Sequence, residues 1–570
     1  MKRAHGIRQR GTRTLHPYVP ELQEQLRTGH LDRREFLRTV TLLGVTASAA
    51  YAMVGRLTGQ PVVPRVRAAG KMGGNLRCSM RVQPMTDPAT FSWGEMANQA
   101  RHMLEYLTIT GPDNITRPYL AEAWEASEDL KTWTLTLRRN VRWSNGDVFN
   151  ADDVVYNITR WLDPRIGSSN LGLFDAMVTV TDTGKKDQDG KPILSKSMTT
   201  GAVEKLDDAT VRLHLNRPVL AMPENLYHYP CAIVHRRFDD MGADLSKHPI
   251  GTGAYALQEL VVGTKCVLAK RPAGDYWGPE AYLDIITYID HGDDPSASLA
   301  ALASKQVDMV HEVGIESLPV VERLPHVALQ EMVTAQTGVA RMQVTQKPFD
   351  DVRVRQAVQL CMDHRRLLEL AHRGKGEPAE NHHVAPSQPD YATLPPPQQD
   401  QARAKQLLMQ AGYPTGLTLT IALGAADAWH IAAMQAFKEM CAPAGITLNL
   451  NVMPGPSYWD VWDKVPFGFT SWTHRPLGVM TLELAYRSGV PWNETRYANQ
   501  AFDKALDRAA ATLDVNARRQ HMAVAQKILQ DDAVIAQPFW RSIFSATTRQ
   551  VQGYAIHPTL YHNFNGVWLA

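Results

Sequence analysis

Residues 118–157 read PYLAEAWEASEDLKTWTLTLRRNVRWSNGDVFNADDVVYN: an amphipathic opening, a turn rich in Ser and Asp, a strand, a second turn and the start of a helix. Trp133, Leu135 and Leu137 alternate with Thr134, Thr136 and Arg138, the period of two that marks a half-buried strand. Ser144-Asn145-Gly146-Asp147 supplies a tight turn, since Asn and Gly tolerate positive φ. Asn150 stands where a helix N-cap would, with Asp152 and Asp153 in the first turn to suit the helix dipole. Local physics thus predicts a strand–turn–helix unit and assigns it no chemistry.

Outward from this unit, 570 residues exceed what one hydrophobic core holds, so two or more domains are expected. Apolar content of 44% and charged content of 21% are ordinary for a soluble globular protein. The formal charge of +2 hides an asymmetry: residues 1–71 carry 13 Lys/Arg against 4 Asp/Glu, a local +9, leaving −7 for the remainder. No nucleic-acid-binding surface is indicated for the body of the chain. Cys78, Cys231, Cys266, Cys361 and Cys441 lie far apart, without a CxxC or a His cluster at metal spacing. Buried thiols are expected, with one or two disulfides possible in an oxidising compartment.

Residues 1–31 are basic and polar, and are expected to be poorly ordered. Arg33 and Arg34 then precede an uncharged run from Thr39 to Gly55, which resembles a twin-arginine export signal. The alternative is a surface helix with a basic start. The run is too short and too rich in Thr and Ala for a membrane-spanning helix. Ala50-Tyr51-Ala52 and Arg67-Ala68-Ala69 offer cleavage sites. Farther on, Thr179–Thr199 is polar and is expected to be an exposed hairpin or loop. Asp351 and Asp400 are placed to cap helices, and strand–helix–strand order over 417–452 argues for an α/β lobe.

Three blocks carry a resemblance. The stretch at 118–157, the run Pro249-Ile250-Gly251-Thr252-Gly253-Ala254-Tyr255 with Asp275-Tyr276-Trp277-Gly278, and Pro348-Phe349-Asp350-Asp351-Val352-Arg353-Val354-Arg355 together resemble the extracytoplasmic solute-binding proteins of family 5, which serve peptides, nickel and opines. The resemblance spans nearly all of 72–570 and implies a class II periplasmic-binding-protein fold, α/β and bilobed, with a hinge. It implies an export segment over 1–68, a first lobe over 69–335 with an extra subdomain at about 110–240, a second lobe over 336–535 and a return to the first lobe over 536–570. It further implies a monomeric capture component of an ABC importer. Such a protein binds a peptide or amino-acid-derived solute in the periplasm and delivers it to a membrane permease and its ATPase. A sensor or chaperone on the same fold, or a binder of an opine or sugar derivative, is the alternative.

The resemblance also points to site residues. Where the family often has an acidic residue after a Trp, able to bind the α-amine of a peptide, this sequence has Ser471-Trp472-Thr473-His474-Arg475-Pro476. Arg offers a planar fork suited to a carboxylate or phosphate, so the charge logic reverses. Arg475 is expected to contact an anionic group of the ligand, with Trp472 packing on its apolar part and Ser471 beside them; an inter-lobe or surface ion pair is the competing role for Arg475. His474 is expected to be incidental. Trp492 and Asn493, and the early loop at Arg81 and Gln83, are further candidates. No cofactor, metal site or catalytic constellation is expected: G-x-S-x-G, H-E-x-x-H and a P-loop are absent from the sequence.

Overall fold

The computed structural model describes residues 15–59, 70–92, 94–186, 192–292, 294–425 and 428–570. Strand Thr132–Leu137 lies inside a four-stranded antiparallel sheet, between Ala121–Ala126 and Thr210–His214, with Val203–Asp207 outermost. Trp133, Leu135 and Leu137 are all buried, as their alternation requires. Helix Ala151–Trp161 begins with a capping box: Asn150 Oδ1 accepts from the Asp152 amide at 2.9 Å, and Asp153 Oδ2 accepts from the Asn150 amide at 3.0 Å. Asp351 and Asp400 cap Val352–Leu360 and Gln401–Gln410 by accepting from the amides of Arg353 and Arg403. Strands Val178–Lys186 and Pro192–Met198 form the exposed hairpin; Asp189-Gly190 lies outside the described residues.

The main sheet runs through both halves of an α/β fold. Its first half places Asn75–Ser79 parallel to Ile285–Ile289, with Lys265–Lys270 and Tyr255–Val261 beyond. Its second half sets Phe467–Trp472 beside Leu417–Gly424, which pairs in parallel with Ile446–Met453. Each half has its own apolar core, one around Leu76, Leu268 and Ile286, the other around Ile421, Phe437 and Phe469. Strand Val327–Met342 joins them. From Val327 to Val333 it pairs with Phe539–Thr548, and from Thr337 to Met342 with Phe467–Trp472. The change of partner coincides with a break in register between Val333 and Thr337.

Gly251 and Gly253 serve close approach: a Cβ on Gly251 would lie 2.0 Å from the Met103 carbonyl oxygen, and one on Gly253 2.4 Å from that of His102. Neither has positive φ. The close packing is backbone on backbone, so no side-chain adjustment could relieve it.

The N-terminal segment differs from expectation. Residues 1–14 and the site at 67–69 lie outside the described residues, but Val19–Arg27, Arg33–Leu42 and Ala47–Thr58 are helices packed on the body. Phe36, Val40, Leu42 and Leu43 are buried, which supplies the apolar driving force that a purely polar tail would lack. Leu42 accepts from the Trp124 indole at 2.7 Å, Arg38 donates to the Asn114 carbonyl, and Tyr18 and Gln25 both donate to Asp514. The expectation of poor order for 15–31 is therefore corrected. Arg33 and Arg34 remain exposed, with Asp32 capping their helix. No helix among the described residues is long and apolar enough to cross a membrane. All five cysteines are free and buried.

Burial also sets the response to acid. It pushes His102, His383 and His557 down to about 3, and His364 and His372 down to about 4. The folded chain holds these rings neutral, whereas the unfolded chain takes up a proton on each near pH 6.5. Unfolding therefore binds protons below pH 6.5, and stability is lost as pH falls from there towards the folded values. Well below pH 6.5 each ring contributes roughly 1.4 kcal/mol per pH unit. The melting temperature is expected to drop steadily between pH 6.5 and 4.5 in differential scanning fluorimetry. A flat profile over that range would contradict neutral buried rings.

Candidate functional site

A cavity of about 750 Å³ lies between the two halves of the molecule. Its second-lobe wall is the end of strand Phe467–Trp472 and the loop leading to helix Gly478–Ala485. This is the carboxyl end of a strand parallel to its neighbour, where open α/β sheets form their clefts. Arg81, Gln83, Ser471, Trp472, Arg475 and Trp492 all line the cavity. Asn493 does not. It is buried behind the wall, its amide donating to the carbonyls of Arg487 and Tyr497 at 3.1 and 2.7 Å and its oxygen accepting from Thr495, so it shapes the turn.

Trp472 stands on a buried ionic base. Its indole donates to Glu494 Oε1 at 3.0 Å, while Glu494 Oε2 accepts from Thr470 at 2.6 Å and pairs with Arg341 Nε at 3.1 Å. Arg341 also donates to the carbonyls of Trp462 and Val465. Burial pushes the Glu494 carboxyl up, and the Arg341 guanidinium opposes this. Trp492 meets Trp472 edge to face at 6.0 Å, so two indoles form one corner of the cavity.

Arg475 is 4% exposed, and among the described residues no carboxylate lies within ion-pair distance of it. Nη1 donates to Thr473 Oγ1 at 2.6 Å and Nη2 to His228 Nε2 at 3.1 Å, while Nε has no partner. The His228 ring therefore accepts through Nε2, and burial together with the Arg475 and Arg101 cations holds it far below the usual histidine range. Desolvation lowers the Arg475 pKa, yet a guanidinium stays protonated at physiological pH. A charge kept out of water without a counter-charge costs several kcal/mol. The competing expectation of an inter-lobe or surface ion pair finds no carboxylate among the described residues to form it.

His474 is not incidental. Its Nδ1 accepts from the Ala335 amide at 3.0 Å, beside the junction of the halves, and its Nε2 donates to Asn114 Oδ1 at 3.0 Å. It thereby fixes the backbone from which Arg475 projects. Gln388 donates to the Arg475 carbonyl at 2.8 Å from a third direction. Sequence inspection missed Glu95, Tyr229, His311, Glu312, Arg541 and Tyr561, which also line the cavity. They come from distant segments with no shared motif. Arg541 pairs with Glu312 and accounts for that carboxylate locally.

With this geometry in place, comparison with known proteins is informative. Residues 116–490 match the model of the bacterial extracellular solute-binding proteins, family 5. The chain is a family 5 solute-binding protein. The family consists of bacterial extracellular solute-binding proteins, and capture of a solute is the role that membership gives this chain. The binding protein is 26% identical over 460 residues to the glutathione-binding protein GsiB of Salmonella choleraesuis, covering 78% of this chain and 85% of that one. Among solved structures, the Escherichia coli murein tripeptide binding protein MppA superposes with TM-score 0.75 at 24% identity, covering 88% of the binding protein and 99% of MppA. AgaA of A. tumefacien R10, in complex with agropinic acid, gives TM-score 0.76 at 21% identity, covering 87% and 99%. These likenesses establish the bilobed fold.

Proposed function

We propose that this binding protein captures an anionic peptide-like or amino-acid-derived solute in the cavity between its lobes, with Arg475 as the anchor for a carboxylate and Trp472 and Trp492 against the apolar part. The observation that carries this is the buried Arg475 guanidinium, lining the cavity with one nitrogen unpartnered and, among the described residues, no carboxylate beside it. A ligand carboxylate would supply the missing counter-charge in a bidentate fork. The names of the relatives, a glutathione-binding protein and an agropinic-acid complex, point to ligands of the same chemistry.

Binding would couple to closure of residues 69–335 and 336–535 about the register break at Val333–Thr337. A solute touching both lobes favours the closed state by its differential affinity. The closed, loaded monomer would then dock on the permease. A thermal-shift screen against glutathione, di- to pentapeptides, opines and acidic sugars tests the ligand class. Stabilisation by solutes with a free carboxylate, and none by their neutral amides, is expected. Equal stabilisation by acids and amides would contradict the proposal.

Export by the twin-arginine machinery fits the exposed pair Arg33 and Arg34 at the start of their helix. Arg33→Lys with Arg34→Lys is expected to leave the protein in the cytoplasmic fraction by immunoblot. Undiminished periplasmic recovery would assign export to another signal.

A further inference from the structure

The carboxylates that line the cavity are Glu95, Glu312 and Asp460. Glu312 is taken by Arg541, whose guanidinium also donates to Gln336 at 3.1 Å. Asp460 is exposed at the rim. Glu95 is different. It is half-buried on helix Gly94–Ala100 of the first lobe and makes no hydrogen bond or ion pair among the described residues.

Arg475 and Glu95 face the same space from opposite lobes. Tyr229 lines the wall they share: burial raises the pKa of its phenol, the Arg475 guanidinium opposes this and the Glu95 carboxylate adds to it. The positive end is reinforced from behind. Arg101 is buried without an ion pair among the described residues, its guanidinium 3.9 Å from the centre of the Tyr561 ring and 4.6 Å from that of Tyr106. Tyr561 lines the cavity and feels Arg101 and Arg475 together. The cavity therefore offers a solute one buried cation without a counter-charge, Arg475, and one half-buried carboxylate without a partner, Glu95, among the described residues.

We infer that Glu95 is a specificity-determining residue that receives a cationic group of the solute, so that the ligand is amphoteric, carrying a free ammonium as well as the carboxylate held by Arg475. The inference rests on the proposed role of Arg475 and adds the opposite pole to it. An amine on the solute would give Glu95 its missing partner, and each lobe would hold one charged end. Closure would then require both ends, and an anion lacking the amine would engage only the second lobe.

A random tripeptide pool, prepared with free and with acetylated N-termini, tests this by titration against wild type, Glu95→Gln and Arg475→Met. Glu95→Gln keeps the shape of the side chain and removes only its charge, and wild-type melting behaviour without ligand confirms folding. The free pool is expected to bind wild type about tenfold or more tightly than the acetylated pool, as suits a charge-assisted hydrogen bond. On Glu95→Gln the two pools are expected to bind alike, at the acetylated level. Equal binding of both pools to wild type, undiminished binding of the free pool to Glu95→Gln, or no binding of either pool to wild type would overturn the inference. Loss on Arg475→Met with no change on Glu95→Gln removes Glu95 alone. Full binding by Arg475→Met removes the anchor itself.

Discussion

Arg475→Met is expected to weaken binding of an anionic solute by roughly a hundredfold or more, while the empty protein melts at or above the wild-type temperature. The first effect follows from taking away one partner of a buried charge pair, worth about 2–5 kcal/mol. The second follows from the environment of the free protein. Arg475 is 4% exposed, has no carboxylate neighbour among the described residues and leaves Nε unpartnered, so its charge is held at a cost to the empty state. Methionine fills similar volume without that cost. Losing function while gaining stability is the signature of a residue kept for its ligand. Arg475→Lys should fall between, since a point charge cannot form the fork. Titration calorimetry and fluorimetry on the same preparations check both halves. A large drop in the melting temperature of empty Arg475→Met would instead mark a structural residue.

Glu494→Ala is expected to act in the opposite sense, destabilising the empty protein by about 3–5 kcal/mol, because it strands the Arg341 cation. Arg341 is wholly buried and Glu494 is its ion-pair partner at 3.1 Å. The same change removes the acceptors of Trp472 Nε1 and Thr470 Oγ1, so the indole corner of the cavity loses its support. Affinity should fall as well, through a misplaced Trp472, and Glu494→Gln should show a smaller loss because an acceptor oxygen remains. Urea denaturation measures the stability term. A midpoint within error of wild type would mean that the carbonyls of Trp462 and Val465 suffice for Arg341.

What the sequence conveyed well is what local physics determines. The alternation at Trp133, Leu135 and Leu137 and the cap at Asn150 depend on neighbours within a few residues, and the structure has both. Gln500–Ala510 and Val515–Asp531 are separate helices, because Asp514 caps the second by accepting from the Ala517 amide. Of the cavity, Arg81 and Gln83, the segment at 471–475 and Trp492 were legible through the resemblance. Glu95, Tyr229 and Tyr561 meet there through tertiary folding, and their spacing in the chain carries no period that would join them. Asn493 and His474 show the same limit from the other side. Residue type made Asn493 a binding candidate, yet its amide is spent on backbone carbonyls. His474 carried no signal, yet it braces the anchor loop against Asn114 and Ala335.

The most direct test of the account is a thermodynamic cycle between Arg475 and the carboxylate it is assigned to hold. A solute identified in the thermal-shift screen would be titrated as its free acid and as its primary amide, against wild type and Arg475→Met. The account predicts that removing either charge weakens binding strongly and that removing the second adds little, a coupling of about 2 kcal/mol or more. Additive losses, with no coupling between the two changes, would show that the carboxylate binds elsewhere and would contradict the assignment of Arg475 as the anionic anchor.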